Sequence, residues 1–436
     1  MKYAYIATGA ANMYCGSCMR DNTLVAAMKK LGHDVTMLPM YTPLRVDEES
    51  ASENYVFYGG IEAYLLQKFP KQTAWRSLLL KAAGSQAILR QLPRFDIGSN
   101  VDPAQNAEMT LSMLRGDMGN QSSLLAEMVE WLAASLQPDI VHVTNTLISG
   151  VAPAIKRALN VPIICGLHGE DIFLDGLPAQ YREQALALIR ENCRSIDHFI
   201  AISDYYAHYF GPLIGLDPAQ ITLVRPGLAL EDYAQSSANG TEMPLTIGYL
   251  ARISPEKGLH LLAEAFIHLC QSGQFPQLRL KAAGYLSRVQ AGYVEDILQL
   301  LEEAGVRDRV EILGTVDRQQ KLDFFRSIDL FSVPTIYRDP KGLPVLEALA
   351  NGVPVVQPNH GAFPELVYTT GGGLLHQPEN ALDLADKLAD LLTNKARRQE
   401  LGERGKTAVH SHFSAQRMAA ETVAVYETTS TQMRSL

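Results

Sequence analysis

The feature that most limits how this chain can fold is its regular alternation of short apolar strands with helical stretches, in two successive series. In the first half, residues 3–8, 34–38, 55–58, 139–144, 162–167, 198–202 and 221–224 read as strands rich in Val, Ile and Tyr. A second series follows at residues 245–250, 278–283, 310–313, 329–333, 354–357 and 373–375. Between the two lies SSANGTEM, residues 236–243, polar and Gly-bearing, which reads as a linker. Strands separated by helices form a parallel sheet covered on both faces. At 436 residues the chain is too long for one ordinary core. The predicted architecture is therefore α/β, with two doubly wound Rossmann-like domains at residues 1–234 and 244–414 facing a cleft. Ligands in such sheets bind at the carboxyl ends of the strands. One more helical stretch, at about residues 415–429, follows the second domain.

Composition narrows the function. The chain is 47% hydrophobic and 19% charged, which is globular, and its net charge of −9 argues against general nucleic-acid binding. No apolar run approaches the roughly 18 residues of a membrane span. The opening MKYAYIATGAA reads as a first strand rather than a signal peptide. Five cysteines in a chain this long, without an export signal, suggest a reduced, cytoplasmic protein. Residues 63–95 hold Lys68, Lys71, Arg76, Lys81, Arg90 and Arg94 and no acid, a local charge of +6. That stretch reads either as a solvated basic face or as a surface for peripheral contact with an anionic membrane or acceptor. Residues 96–121 have weak periodicity and read as a mobile loop or insertion.

The densest motif is YRDPKGLPVLEALANG, residues 337–352. It leaves an apolar strand, passes through a Pro-Lys-Gly-Leu-Pro turn and enters a helix at about Leu343, which stops at Asn351-Gly352. The first N–H groups of such a helix point back at the turn and suit an anion or a hydroxyl. Asp339 in the loop and Glu347 one turn into the helix bracket it. Two carboxylates, which only accept hydrogen bonds, suit a hydroxyl-rich ligand such as a sugar or ribose.

This stretch resembles the donor-site signature of the retaining glycosyltransferases of the GT-B fold, in particular glycosyltransferase family 4. The signature is an acid, seven residues, then Glu, Ala, a small residue and Gly-x-Pro, and Glu347 to Pro354 matches it. The family usually has Glu where this chain has Asp339, one methylene shorter. A second match is IGYLARISPEKG, residues 247–258, where Gly248, Arg252, Lys257 and Gly258 fit the family's Gly-x-x-x-Arg, Lys and Gly. A sugar nucleotide's diphosphate gains charge as the glycosidic bond breaks, and an Arg fork with a Lys point charge stabilises it.

The resemblance implies the rest of the expected site. Glu347 would hold the ribose hydroxyls, Asp339 the transferred sugar, and the backbone of Gly342, Leu343 and Pro344 the phosphates or sugar. His168, at the end of its strand, would sit beside the donor's anomeric region, with Asn145 and Ser203 near the same cleft. Gly284 would stand where the base pocket begins. Gly9 and Gly16, in the Gly- and Ala-rich loop after the first strand, would approach the donor phosphates and acceptor. The last helix, about residues 415–436, would cross back to the first domain. No Asp-x-Asp exists to hold a divalent ion, so Arg252 and Lys257 would replace a metal and no cofactor is implied. The leaving phosphate would itself take the acceptor's proton. The expected activity is retaining transfer of a hexose from a nucleotide-diphospho sugar to an acceptor hydroxyl, in carbohydrate biosynthesis.

Two alternatives stay open on sequence. One is a regulator that binds a sugar nucleotide without turnover. The other is a thiol redox protein using Cys15 and Cys18, because a helix N-terminus lowers a thiol's pKa. No second CxxC completes a zinc site.

Overall fold

The computed structural model describes residues 1–9, 16–44, 46–53, 56, 104, 106–233 and 244–434. The basic stretch 63–95, Cys15, the linker 236–243 and all of the expected strand 55–58 except Val56 lie outside them. The chain forms two compact units, Met1–Gly227 with Gln416–Leu436, and Leu228–Ala415.

In the first unit the elements run β1 (Lys2–Ala7), α1 (Gly16–Lys30), β2 (Asp34–Pro39), α2 (Ala107–Leu114), α3 (Ser122–Trp131), β3 (Ile140–Val143), α4 (Ala152–Leu159), β4 (Ile163–Leu167), α5 (Asp171–Asp175), α6 (Ala179–Cys193), β5 (His198–Ala201), α7 (Asp204–Leu213) and β6 (Ile221–Leu223). The strands pair in the order β2-β1-β3-β4-β5-β6, all parallel. Every residue of β3 and β4 is buried, and so is all of β1 after Lys2. This follows from covering a parallel sheet with helices on both sides, and it explains why these strands read as apolar runs rather than alternations.

One expectation fails here. Residues 107–114, read as part of a loop, form α2. Its sequence AEMTLSML has too few turns to show a helical period, yet Leu111, Met113 and Leu114 are buried and the helix packs on α6. Asn192 of α6 donates through Nδ2 to the Leu114 carbonyl at 2.9 Å, which satisfies an end-of-helix acceptor.

The second unit runs β7 (Thr246–Leu250), α8 (Leu259–Gln271), β8 (Arg279–Ala283), α9 (Ala291–Glu303), β9 (Val310–Gly314), α10 (Arg318–Arg326), β10 (Leu330–Phe331), α11 (Leu343–Ala350), β11 (Val355–Pro358), α12 (Phe363–Thr370), β12 (Gly373–His376), α13 (Ala381–Thr393) and α14 (Lys395–His412). Its parallel sheet has the order β12-β11-β10-β7-β8-β9. Read from β9, this is the 3-2-1-4-5-6 order of the Rossmann fold. The order reverses between β7 and β10, so that gap is the topological switch point. In the first unit the reversal falls between β1 and β3.

The second unit begins earlier than the linker suggested. Leu228 donates to the Phe413 carbonyl at 2.8 Å and accepts from Ala415 N–H at 2.8 Å, an isolated parallel bridge. Tyr233 is buried and bonded to Glu347. These contacts draw residues 228–233 into the second unit. The last helix, α15 (Ala415–Arg434), packs on the first unit. There the Tyr426 hydroxyl meets His142 Nδ1 at 2.7 Å, and Lys156 Nζ donates to Met433 Sδ at 3.3 Å.

Gly284, just after β8, has a φ of +141°, and a Cβ there would lie 1.7 Å from the Ala251 carbonyl oxygen. Both the backbone and its neighbour forbid a side chain. Gly284→Ala should destabilise the second unit by about 2–5 kcal/mol, read as a lower urea midpoint. An unchanged midpoint would mean that the neighbouring backbone yields freely.

Candidate functional site at the switch point of the second unit

Because β7 and β10 are hydrogen-bonded neighbours, the segments leaving their carboxyl ends emerge side by side. From β7 comes the turn that carries Arg252 and Lys257. From β10 comes the turn that carries Tyr337 and Asp339. The structure brings Lys257 onto Asp339: Nζ lies 2.8 Å from Oδ2. The Tyr337 hydroxyl donates to the same oxygen at 2.7 Å. Lys257 also donates to the Tyr337 hydroxyl at 2.8 Å, with its ammonium 4.6 Å from the ring centroid.

The other oxygen of Asp339 organises the turn. Oδ1 accepts from Lys341 N–H at 2.9 Å and from Gly342 N–H at 3.3 Å. Four bonds fill the lone-pair directions of a carboxylate. Burial alone would push this carboxyl up. The charges of Lys257 and Lys341, with the hydrogen bonds from Lys257 and Tyr337, outweigh it and hold Asp339 well below the usual range. Gly342 turns the chain into α11 with a φ of +61°. Its N–H is taken by Asp339, and Pro344 has none. Of the three expected backbone contacts, only Leu343 has an N–H that is neither absent nor given to Asp339.

Glu347 sits one turn along α11, 5% exposed. Its Oε1 accepts from Lys321 Nζ at 2.5 Å and from the Tyr233 hydroxyl at 3.2 Å. Arg318 backs this up: Nη1 donates to the Tyr233 hydroxyl at 3.1 Å, and the guanidinium lies 4.9 Å from the ring centroid. Asp232 holds Arg318 at 3.1 Å. Lys321 and Arg318 share one face of α10, three residues apart. A reciprocal capping box between Asp317 and Gln320 fixes the first turn of that helix.

Arg252 is placed differently. Its side chain is 45% exposed and pairs with Glu256 at 2.5 Å, not with Asp339. For Glu256, burial pushes the carboxyl up, but Ser254 and Arg252 outweigh it and the value falls below normal. Gly248 lies within β7 rather than at its end. A Cβ there would stand 2.3 Å from Ile328 Cδ1, so the residue lets α10 and its flank close on the sheet.

In the first unit, polar side chains gather at the β1/β3 switch point. Asp21 of α1 accepts from the Tyr5 hydroxyl at 2.7 Å, from Arg20 at 3.0 Å and from Thr144. The predicted residue His168, at the end of β4, places Nδ1 3.8 Å from Asp21 Oδ1, both buried. Gly166 makes room for it, since a Cβ there would lie 2.4 Å from His168 Nε2. Next to it, Glu170 accepts from His168 N–H at 2.8 Å, Thr146 N–H at 3.1 Å and the Tyr206 hydroxyl at 3.0 Å. That hydroxyl also lies 3.0 Å from Asp171. Burial pushes Asp171 up to about 6, against the Tyr206 bond and with the charge of Glu170. Asn145 and Ser203 act as helix caps: their side chains accept from Leu147 N–H and Tyr206 N–H. Gly9 packs against Thr42 and Gly16 opens α1.

Sequence reasoning missed Tyr337, Tyr233, Arg318 and Lys321 in the second unit, and Asp21 and Glu170 in the first. The D-x-x-Q capping box was a legible signal for the face bearing Arg318 and Lys321. Nothing local named their partner on α11. Cys18 is buried on α1. Among the described residues no group of three or more His, Cys, Asp or Glu is placed to hold a metal, and no helix is long and apolar enough to cross a membrane.

Two parallel Rossmann-like sheets, one with an acid-and-lysine site at its switch point, define a GT-B glycosyltransferase. The chain belongs to the group 1 glycosyltransferases: residues 234–408 match the family described as "Glycosyl transferases group 1", and residues 22–227 match a "Glycosyl transferase 4-like domain". It is 30% identical over 316 residues to the D-inositol 3-phosphate glycosyltransferase of Kribbella flavida, covering 68% of this chain and 72% of that one. It is 26% identical over 299 residues to a glycogen synthase of Mycobacterium tuberculosis, covering 67% and 69%. Among solved structures, the Anabaena protein HepE in complex with UDP and glucose superposes with a TM-score of 0.69 at 16% identity, covering 98% of this chain and 99% of that one. Sucrose-phosphate synthase from Thermosynechococcus elongatus gives 0.69 at 19% identity, covering 98% of each.

The Lys257–Asp339 pair carries a pH signature. A carboxylate depressed by folding stabilises the fold above its unfolded value, near 3.9, and loses that contribution as pH falls towards its folded value. Asp339→Asn should cost about 2–4 kcal/mol of stability at pH 7. The gap from wild type should be full above about pH 5 and shrink below about pH 4. Denaturant curves of both proteins between pH 3 and 8 check this, and a gap independent of pH would dissolve the ion pair as its source.

Proposed function

We propose that this chain transfers a hexose from a nucleoside diphospho-sugar to an acceptor hydroxyl, with retention at the anomeric carbon and without a metal ion. The observation that supports this reading best is the placing of Lys257 and Asp339 at the switch point of the second unit. A doubly wound sheet binds its ligand there. An ammonium has three donors, and two of those on Lys257 go to Asp339 and Tyr337. The third is left for a phosphate oxygen. As the glycosidic bond breaks, negative charge grows on the leaving diphosphate. A cation fixed in advance stabilises that state more than the ground state. Arg252, close by in sequence on the same turn, adds a fork of donors.

Asp339 is the acceptor for the hexose in this reading. Of its four partners, Tyr337 is the neutral side chain. A sugar hydroxyl reaches Asp339 by taking the place of that phenol, which leaves the turn and the lysine in position. Glu347 faces the ribose from α11. The leaving phosphate accepts the proton of the attacking hydroxyl on the same face, so retention needs no protein base. HepE, solved with UDP and glucose, supports a nucleoside diphosphate as the carrier.

Lys257→Ala should lower kcat by about 10²–10³-fold, the scale for losing one preorganised donor. The assay is transfer or slow hydrolysis of a nucleoside diphospho-sugar chosen by thermal-shift screening, with the product anomer assigned by proton NMR. EDTA should leave the rate nearly unchanged. An inverted product, or activity lost in EDTA and restored by magnesium or manganese, would overturn the corresponding part of the reading.

A further inference from the structure

Lys321, paired with Glu347, has no task in the reaction as described. Resting on the reading that Glu347 faces the ribose, we propose that Lys321 and Tyr233 form a cradle that commits Oε1 of Glu347 to the protein and presents Oε2 to a ribose hydroxyl. Lys321 is then a positioning residue for ribose recognition.

The geometry supports this from three sides. The hydrogen bonds to the Glu347 carboxylate from Lys321 Nζ at 2.5 Å and the Tyr233 hydroxyl at 3.2 Å end on the same oxygen. Both side chains of the ion pair are buried, at 6% and 7% exposure. A buried carboxylate without its cation is strongly destabilised, so the lysine fixes charge as well as direction. Tyr233 cannot drift, because Arg318 donates to its hydroxyl at 3.1 Å and covers its ring. Arg318 and Lys321 come from the first turn of α10, which the Asp317–Gln320 box locks. The helix α10 and the segment entering the unit thus converge on one oxygen of α11. A lysine whose only purpose was stability would be a poor choice here, since a buried ion pair gains little over a well-packed apolar pair. Its directional effect on Oε2 is what an apolar side chain would not supply.

The recognised chemistry is the sugar of a nucleotide, and the discriminating group is a ribose hydroxyl. The test measures binding of UDP, ADP and GDP, and of their 2′-deoxy and 3′-deoxy forms, by calorimetry on the full chain. Wild type should bind at least one ribonucleotide at least about tenfold more tightly than one of its deoxy forms, the scale of a hydrogen bond to a charged acceptor. Lys321→Met should bring that ratio close to one, and Lys321→Arg should restore most of it. In Glu347→Gln the ratio should fall, and adding Lys321→Met should change it no further. If Lys321→Met does not fold, Tyr233→Phe replaces it and should lower the ratio. A foldable Lys321→Met that keeps the wild-type ratio overturns the inference, and so does an unchanged ratio in Tyr233→Phe. A wild type that binds nucleotides without discriminating the sugar overturns it while leaving the donor reading intact. A wild type that binds none of the nucleotides overturns the donor reading itself.

Discussion

Everything at the candidate site depends on two parallel strands lying next to each other where the order of the sheet reverses. β7 and β10 are 80 residues apart in the chain, yet their carboxyl ends deliver Lys257 and Tyr337 to within 2.8 Å of each other. No local preference brings these side chains together. The strand order does. Asp339 then converts that proximity into a rigid unit. One oxygen holds the lysine and the phenol, and the other holds two amides of the turn that starts α11. The two turn amides and the lysine hold the carboxylate independently of the phenol.

The site holds two such acid–lysine pairs, and their energetics differ from those of surface pairs. Lys257–Asp339 and Lys321–Glu347 are largely buried, whereas Arg252–Glu256 is half in solvent. An exposed pair is worth about 0–1 kcal/mol. Breaking a buried one costs about 3–5 kcal/mol, because a charge is left without its partner. The buried pairs therefore act as fixed parts. They set where a carboxylate oxygen or an ammonium hydrogen points, and they do so before any ligand arrives.

The sequence was most informative where structure is local. The second series of strands matches β7 to β12 to within about two residues at each end, because each strand is a compact apolar run between turn residues. The α11 turn was legible for the same reason: Pro, Gly and a helix stop mark both ends. Three things were not legible. The helix α2 is too short to show a period, and only packing on α6 reveals it. The start of the second unit is set by a bridge between Leu228 and Ser414, which no linker composition encodes. The roles of the site's charges were only half legible. The Arg and Lys spacing correctly marked a cationic turn, but it could not say that Lys257 turns inward to Asp339 while Arg252 turns outward to Glu256. Asn145 and Ser203 were marked as polar residues facing a cleft, and their side chains turn out to cap the helices that follow their strands.

That split between the two cations has a consequence for how an anionic donor would be held. The protein as a whole is acidic, with a net charge of −9, so attraction of a diphosphate has to be local. On the proposed reaction, Lys257 stays with Asp339, because separating them is the costly step, and it offers the phosphate its remaining N–H. Arg252 behaves differently. Its bond to Glu256 is half-exposed, and exchanging that carboxylate for a phosphate costs little. A guanidinium also has five N–H donors, so it can hold Glu256 and a phosphate oxygen together. The fixed lysine then defines where the charge develops, and the exposed arginine follows the diphosphate as it leaves. Swapping the two residue types would lose both effects. An arginine at 257 would replace the compact ammonium that meets both Asp339 and Tyr337, and a lysine at 252 would lack the fork needed to bridge two acceptors.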